Sequence, residues 1–336
     1  MTKKEKQIYK SGKENPNGYK FSIFDYFKKR RTPIIIIILI ILTLFLEFLN
    51  VFRIADWNEV TYLTGIIDGV KPKDSDFVIY YLDVGQSDCT IIVCDDEVMM
   101  IDTGTRYQVF NIRKSLFTLG IDSIDYMIVT HPHYDHVAGA YDLINHYTVH
   151  NIMMPAISDN SLVETEGYPN LINAIADKEV NPIAISSGYS FKLGSASVEV
   201  LSPFVQDENL NNMSTVIKIT YGETSFLFQG DAESEIEKQL INSDYDISSD
   251  VLKVGHHGSD TSSQNSFLEA VNPDYAVISS GIANTYGHPN YNVIERLLNH
   301  DIELLVTSLD GHIIITSNGK EISITKQQLF SKKDLQ

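Results

Sequence analysis

His131-Pro-His-Tyr-Asp-His136 places three imidazoles and one carboxylate within six consecutive residues. In an extended segment successive side chains alternate, so His131 and His133 point to the same side. Asp135 and His136 follow after one spacer, and a turn there aims them at a second point a few ångströms away. Neutral imidazole with carboxylate suits zinc, and manganese or iron as the carboxylate share rises. The plainer alternative is a surface loop that happens to be rich in histidine. Residues 125–130, Asp-Tyr-Met-Ile-Val-Thr, read as a strand running directly into His131.

Three further polar clusters also follow predicted strands. Asp102-Thr-Gly104 comes after a strand at 98–101, Gly230-Asp231 after one at 225–229, and Gly255-His-His-Gly-Ser259 after one at 251–254. Strand ends gathered at one rim give loops a rigid support for chemistry. Taken singly, Gly-Asp is a weak signal and Asp-Thr-Gly reads equally well as a helix cap. His-His between glycines is stronger, because glycine lets the backbone approach a ligand closely.

The pattern between the clusters is α+β. Strands are predicted at 77–84, 89–94, 149–154, 191–193, 198–201, 274–280, 303–307, 312–317 and 321–325, and a hairpin joins 215–221 to 225–229. Helices are predicted at 106–119 (ending at Gly120), 137–146, 232–242, 263–270 and 291–299. Hairpins mixed with helices of ten or so residues imply sheets covered by helices. Cys89 and Cys94 lie five apart in one strand and so face opposite sides, which argues against a disulfide or a thiolate metal site.

Among 336 residues the net charge of −18 is unevenly placed: residues 1–31 sum to +7 and the remainder to −25. Between them runs Pro33-Ile-Ile-Ile-Ile-Ile-Leu-Ile-Ile-Leu-Thr-Leu-Phe-Leu46, continuing through Phe52. This predicts a basic tail (1–32), one transmembrane helix (33–52) in contact with the lipid bilayer, and a juxtamembrane linker (53–75). A hydrolase-type domain (76–326) and a polar tail (327–336) follow. The alternatives are a cleaved signal peptide, against which stand the long polar leader and the lack of a small-x-small site, and a buried strand. Basic residues on the amino side place the amino terminus in the cytoplasm and the catalytic domain outside the cell membrane.

Tyr81-Leu-Asp-Val-Gly-Gln-Ser-Asp88, Ile101-Asp-Thr-Gly104, His131–His136, Gly230-Asp231, Leu252-Lys-Val-Gly-His-His-Gly-Ser259 and Ser279-Ser-Gly-Ile-Ala-Asn-Thr-Tyr-Gly-His-Pro289 together resemble the metallo-β-lactamase superfamily. Within it they resemble the carboxy-terminal hydrolase domain of the ComEC type of DNA-uptake protein, over about residues 76–325. The resemblance implies an αββα four-layer sandwich with two divalent metal ions at the sheet rim, zinc or alternatively manganese. It assigns His131 and His133 to one ion, Asp135, His136 and His257 to the other, and Asp231 as the bridge. Asp102 would brace the histidine loop, and His256 and His288 would face the substrate. Asp135, His256 and His288 are the candidate catalytic residues, and Asn212, Ser259 and Tyr286 the candidate substrate contacts.

Two departures qualify it. The superfamily's usual third histidine is absent, since 203–229 contains none and Asn211-Asn-Met-Ser-Thr215 occupies that region. One apolar segment also stands where the ComEC type has a many-span channel, so the resemblance extends to the hydrolase and not to transport. His146, His150, His300 and His312 match no motif and read as structural or surface residues.

Two cations sharing Asp231 would lower the pKa of a water between them from near 16 towards about 7, supplying hydroxide at neutral pH. Phosphodiesters are the first expectation for the substrate: nucleic acid, nucleotide or cell-envelope polymer. The −25 of residues 32–336 counts against a broad polyanion-binding face. Ester, lactone or β-lactam hydrolysis is the rival chemistry, and a non-catalytic metal-binding module the rival role.

Overall fold

Alternation of large apolar side chains along Phe77-Val-Ile-Tyr-Tyr81 sets the architecture. Phe77, Ile79 and Tyr81 enter one hydrophobic core, while Val78 and Tyr80 enter another on the opposite face. The computed structural model describes residues 40–41, 43–45, 73, 75–157, 167–282 and 284–327, and all structural counts refer to these.

The first sheet runs β15 (Ile322–Gln327), β14 (His312–Ser317), β1 (Phe77–Tyr81), β2 (Thr90–Cys94), β3 (Glu97–Ile101), β4 (Ser123–Ile128), β5 (Thr148–Pro155), β6 (Asn181–Ile185). It is antiparallel from β15 to β3 and parallel from β3 to β6. The second runs β13 (Glu303–Val306), β12 (Tyr275–Ile278), β11 (Val251–Lys253), β10 (Thr224–Phe228), β9 (Ile217–Tyr221), β8 (Ala196–Val200), β7 (Ser190–Leu193). It is parallel from β13 to β10 and antiparallel beyond.

Three apolar cores define four layers. The outer face of the first sheet packs on α1 (Val109–Leu119), α3 (Ala140–His146) and α4 (Tyr168–Lys178), through residues such as Ile112, Leu143 and Leu171. The outer face of the second packs on α5 (Ser234–Ile241), α6 (Asn265–Val271) and α7 (Tyr291–Asn299), through Leu240, Phe267 and Leu297. Between the sheets Phe77 stacks on Phe226 at 5.1 Å and Tyr81 on Phe228 at 5.9 Å. Truncating an aromatic at this depth to Ala costs about 3–5 kcal/mol, so this layer holds the two sheets face to face. Cys89 lies in the helix-side core and Cys94 in the inter-sheet core, both as free thiols.

Several predicted boundaries move, each for a local reason. The helix expected at 137–146 is two: α2 (Tyr134–Val137), which carries Asp135 and His136, and α3. They part at Gly139, where a Cβ would sit 2.1 Å from the Thr103 carbonyl oxygen. The helix expected from 263 starts at Asn265, because Ser263 has φ +54°. The helix expected at 106–119 opens with a 3₁₀ turn, Arg106–Gln108. α4, β6 and a short α8 (Thr307–Asp310) were not expected. Pro182 obscures β6, yet as an edge strand β6 tolerates it.

Within the amino-terminal unit, Met1–Thr64, residues 40, 41 and 43–45 are helical, and Ile40, Ile41, Leu44 and Phe45 are exposed. No helix among the described residues is long and apolar enough to cross a membrane. Most of the expected span (33–52), the tails and the linker lies outside the described residues.

Candidate metal centre

The site lies beyond the carboxyl ends of β3 and β4 from one sheet and of β10, β11 and β12 from the other, the crevice where open α/β sheets place ligands. Asp102, one residue past β3, has φ +59°, a left-handed conformation Asp tolerates better than most residues. There its buried carboxylate accepts hydrogen bonds from Thr130 N (2.8 Å), Thr130 Oγ1 (2.8 Å) and His136 Nδ1 (2.8 Å). Thr103 N and Oγ1 both donate to the His136 carbonyl at 2.8 Å. His136 is therefore clamped at ring and backbone.

A carboxylate and a carbonyl only accept, so their partners must donate. His136 Nδ1 faces Asp102, and His257 Nδ1 faces Ser279 O at 3.0 Å. Both rings thus turn Nε2 toward the centre, the arrangement that orients metal-binding histidines. Against burial, which lowers them, Asp231 and the neighbouring carboxylates raise both imidazoles above the ordinary range. His131 Nδ1 lies 3.2 Å from Thr130 Oγ1 and 3.3 Å from Ser214 Oγ, while its Nε2 sits 3.0 Å from His133 Nδ1.

These nitrogens converge on Asp231. Its carboxylate lies 3.4 Å from His136 Nε2 and 3.8 Å from each of His131, His256 and His257 Nε2. His257 Nε2 is 3.2 Å from Asp135 Oδ2. Three donor groups among the described residues fall within 4.8 Å of one another: His131 with His136 and Asp231, Asp135 with His136 and His257, and Asp88 with Asp102 and His136. His133 stands beside the first group through His131. Burial alone would raise the Asp231 carboxyl, but the His136 and His257 imidazoles hold it well below the usual carboxylate range. Burial first, and then the neighbouring His136, drives His131 well below the ordinary imidazole range, keeping it neutral.

The donor set fits divalent cations. His136 Nε2 and Asp231 Oδ1 are buried, face each other at 3.4 Å and have no hydrogen-bond partner. The buried carboxylate and ring nitrogen facing across this dry gap need a positive charge between them, which a proton on the ring or a divalent cation supplies.

His256 and His257 have φ +48° and +53°, consecutive left-handed residues that are uncommon without glycine. The turn sends the rings apart: His257 is 2% exposed and reaches Asp135, whereas His256 is partly exposed beside an open cavity. That cavity, about 480 Å³, is lined by His133, Asp135, Asp231 and His257 on its floor, with His256 and His288 beside them. Tyr286, 71% exposed, stacks on His288 at 5.8 Å, and His288 meets His256 edge-on at 5.5 Å. No Lys or Arg among the described residues lines the cavity.

Two expected substrate contacts lie elsewhere. Asn212 is turned into its own loop, donating to Asp207 Oδ2 (3.3 Å) and accepting from Glu233 N (3.3 Å), and Asn211 lines the cavity instead. Ser259 is buried, bonded to Thr261 Oγ1 at 3.1 Å, and does not line the cavity. Both belong to rigid turns that hold the histidines.

Four polar residues to which the sequence assigns no role prove structural to the site, and of these only Lys253 stands inside a quoted motif. Gln229 Oε1 accepts from Gly255 N (3.1 Å), and its Nε2 donates to Ala232 O (3.1 Å), tying the Asp231 loop to the His256–His257 turn. Glu237 accepts from Gln229 Nε2, Ser263 N and Gln264 N, and burial pushes its carboxyl up to about 7 despite these bonds. Lys253 Nζ pairs with Asp88 Oδ2 at 2.8 Å, both buried, behind His257. Glu233 Oε1 accepts from Asn211 Nδ2 at 3.1 Å and lies 3.7 Å from His256 Nδ1.

Residues 82–282 match the model of the metallo-β-lactamase superfamily, and the chain belongs to that family. Three of its relatives, ComE operon protein 3, Recombination protein 2 and competence protein ComA, are ComEC-family competence proteins. It is 33% identical over 195 residues to ComE operon protein 3 of Bacillus subtilis (58% of this chain, 25% of the relative). It is 31% identical over 238 residues to Recombination protein 2 of Haemophilus influenzae (69% of this chain, 28% of the relative). The chain thus spans about a quarter of the length of these relatives. Among solved structures, CmlA, a diiron β-hydroxylase from Streptomyces venezuelae, shares the fold at TM-score 0.50 and 15% identity (81% of this chain, 60% of that one).

Proposed function

We propose that the protein is a membrane-anchored, metal-dependent phosphodiesterase. The observation that carries this is the convergence of four imidazoles on the buried Asp231 carboxylate, with His133 and Asp135 beside them and a cavity open on one side. The relatives are named for competence and recombination, so nucleic-acid phosphodiesters are the first substrates to try. His131 and His133 would hold one divalent ion, Asp135, His136 and His257 the other, and Asp231 both; bound there, the ions would activate water and offset charge on a phosphoryl group.

The protein's own residues do the rest. Asp102, Ser279 and Thr130 fix the ligand rings. His256 Nε2, 3.8 Å from Asp231 and open to the cavity, is placed to hydrogen-bond the attacked group or return a proton to the leaving oxygen. Tyr286 and His288 form one wall against which the substrate packs. A cavity without Lys or Arg favours a locally held end or a short substrate over a long bound polyanion.

The test separates neighbours. His257→Ala should lose metal and rate together, whereas His256→Ala should keep both ions and lose turnover by roughly a hundredfold. Assays use bis-p-nitrophenyl phosphate, single-stranded DNA and a chromogenic lactam, each with and without chelator. Chelator-resistant activity, or activity on the lactam alone, overturns the proposal. Residues 33–52 would anchor the domain with the amino terminus in the cytoplasm and the hydrolase outside. Alkaline phosphatase fused after residue 60 should then be active, and an inactive fusion rejects that orientation.

A further inference from the structure

The metal centre is asymmetric: Asp135, His136 and His257 crowd one side, while 203–229 supplies no histidine to the His131–His133 side. The 3₁₀ turn Leu210–Met213 abuts that poorer side. Ser214, directly after it, accepts from Asp231 N at 3.0 Å and lies 3.3 Å from His131 Nδ1. The turn carries Asn211, which is 9% exposed and lines the cavity together with His133 and Asp231.

The orientation of the Asn211 amide follows from its neighbour. Asn211 Nδ2 lies 3.1 Å from Glu233 Oε1, and a carboxylate can only accept, so the amino group must face Glu233 and the carbonyl must face away. Asn211 Oδ1 is buried and has no hydrogen-bond partner. A buried amide oxygen left so costs free energy unless a donor or a cation meets it. Glu233 is itself held, accepting from Asn209 Nδ2 at 3.0 Å, while its backbone N donates to Asn212 Oδ1. The turn therefore spends three asparagines and a glutamate on fixing one amide oxygen.

We propose that Asn211 Oδ1 is the donor that completes the His131–His133 side of the centre, in place of a third imidazole, with Glu233 as its positioning residue. This rests on the metal-centre reading. A neutral amide oxygen is a weaker donor to a borderline cation than imidazole, so the ion on this side is the more weakly held of the two.

The experiment titrates the metal-free full-length protein with Zn²⁺, and in parallel with Co²⁺ to follow the ligand-field spectrum. The unaltered protein should bind two ions with unequal affinity. Asn211→Leu should weaken the looser ion by about tenfold or more, leave the tighter one unchanged and alter only the Co²⁺ bands that appear last. Asn211→His, supplying the missing imidazole, should tighten the same ion by about tenfold or more, and this gain decides the matter should Asn211→Leu fail to fold. Two ions bound by Asn211→Leu with unaltered affinities, or no gain in Asn211→His, overturns the assignment while leaving the centre intact. A failure of the unaltered protein to bind any ion overturns the metal-centre reading itself.

Discussion

The two sheets deliver their shares of the site by different means. The first sheet gives His131, His133, Asp135 and His136 in one stretch, braced by Asp102 and Thr103 at the end of the next strand. The second gives Asp231 and His257 from separate strand ends, joined to each other and to the first sheet by side-chain ties: Gln229 to Gly255, Glu237 to Ser263 and Gln264, Lys253 to Asp88. A ligand cluster made from one contiguous loop needs bracing from one place, here the end of the adjacent strand. A cluster made from several loops needs buried polar ties between them, and each tie is costly to break because it leaves another group unsatisfied.

Asp231 belongs to both arrangements, so it breaks the comparison most completely. Asp231→Asn should empty both metal positions and lower turnover by roughly a thousandfold or more, with the fold retained. Elemental analysis showing two ions in that variant would reject its bridging role. Gln229→Ala sharpens the contrast, since it severs the tie between the Asp231 loop and the His256–His257 turn without touching a ligand. It should destabilise the protein by about 1–3 kcal/mol and lower metal affinity some 10–100-fold at both positions, because both share Asp231. An unchanged melting temperature and metal titration would mean that the second sheet's ligands hold themselves.

The smallest effect concerns the first sheet alone. His312 Nδ1 accepts from Asp83 N at 3.0 Å, and burial lowers its pKa to about 4. Between about 6.5 and 4 the unfolded chain then binds more protons than the folded one, so stability falls as pH drops through that window. His312→Gln should flatten this part of the melting-temperature profile, a difference of about 1–3 kcal/mol between the ends. Identical slopes for both proteins would remove His312 from the account.

The contrast also explains what could be read in the sequence. His131–His136, Asp102, Asp231 and His257 were legible because each follows a predicted strand and bears a side chain with metal chemistry. Gln229 and Glu237 were not, because they sit inside ordinary strand or helix patterns, and although Lys253 and Asp88 both stand in quoted motifs, their pairing across 165 residues was not. Asn211 and Asn212 are the same residue type in adjacent positions, and only the twist of the 3₁₀ turn decides which one reaches the cavity. For α4 the signal was present: Leu171, Ala174 and Ile175 have helical spacing.

The Asp88–Lys253 pair has a mechanical consequence. Asp88 belongs to the segment after β1 and Lys253 ends β11, so the pair joins the two sheets at the rim where each presents half of the ligands. Sliding one sheet past the other would pull these half-sites apart, and the apolar layer between the sheets, being non-directional, opposes such shear only weakly. A buried ion pair is directional, and separating it strands a charge at a cost of about 3–5 kcal/mol. It works as a dowel: the spacing between the two halves of the centre is pinned by a charge contact that touches neither metal position nor substrate.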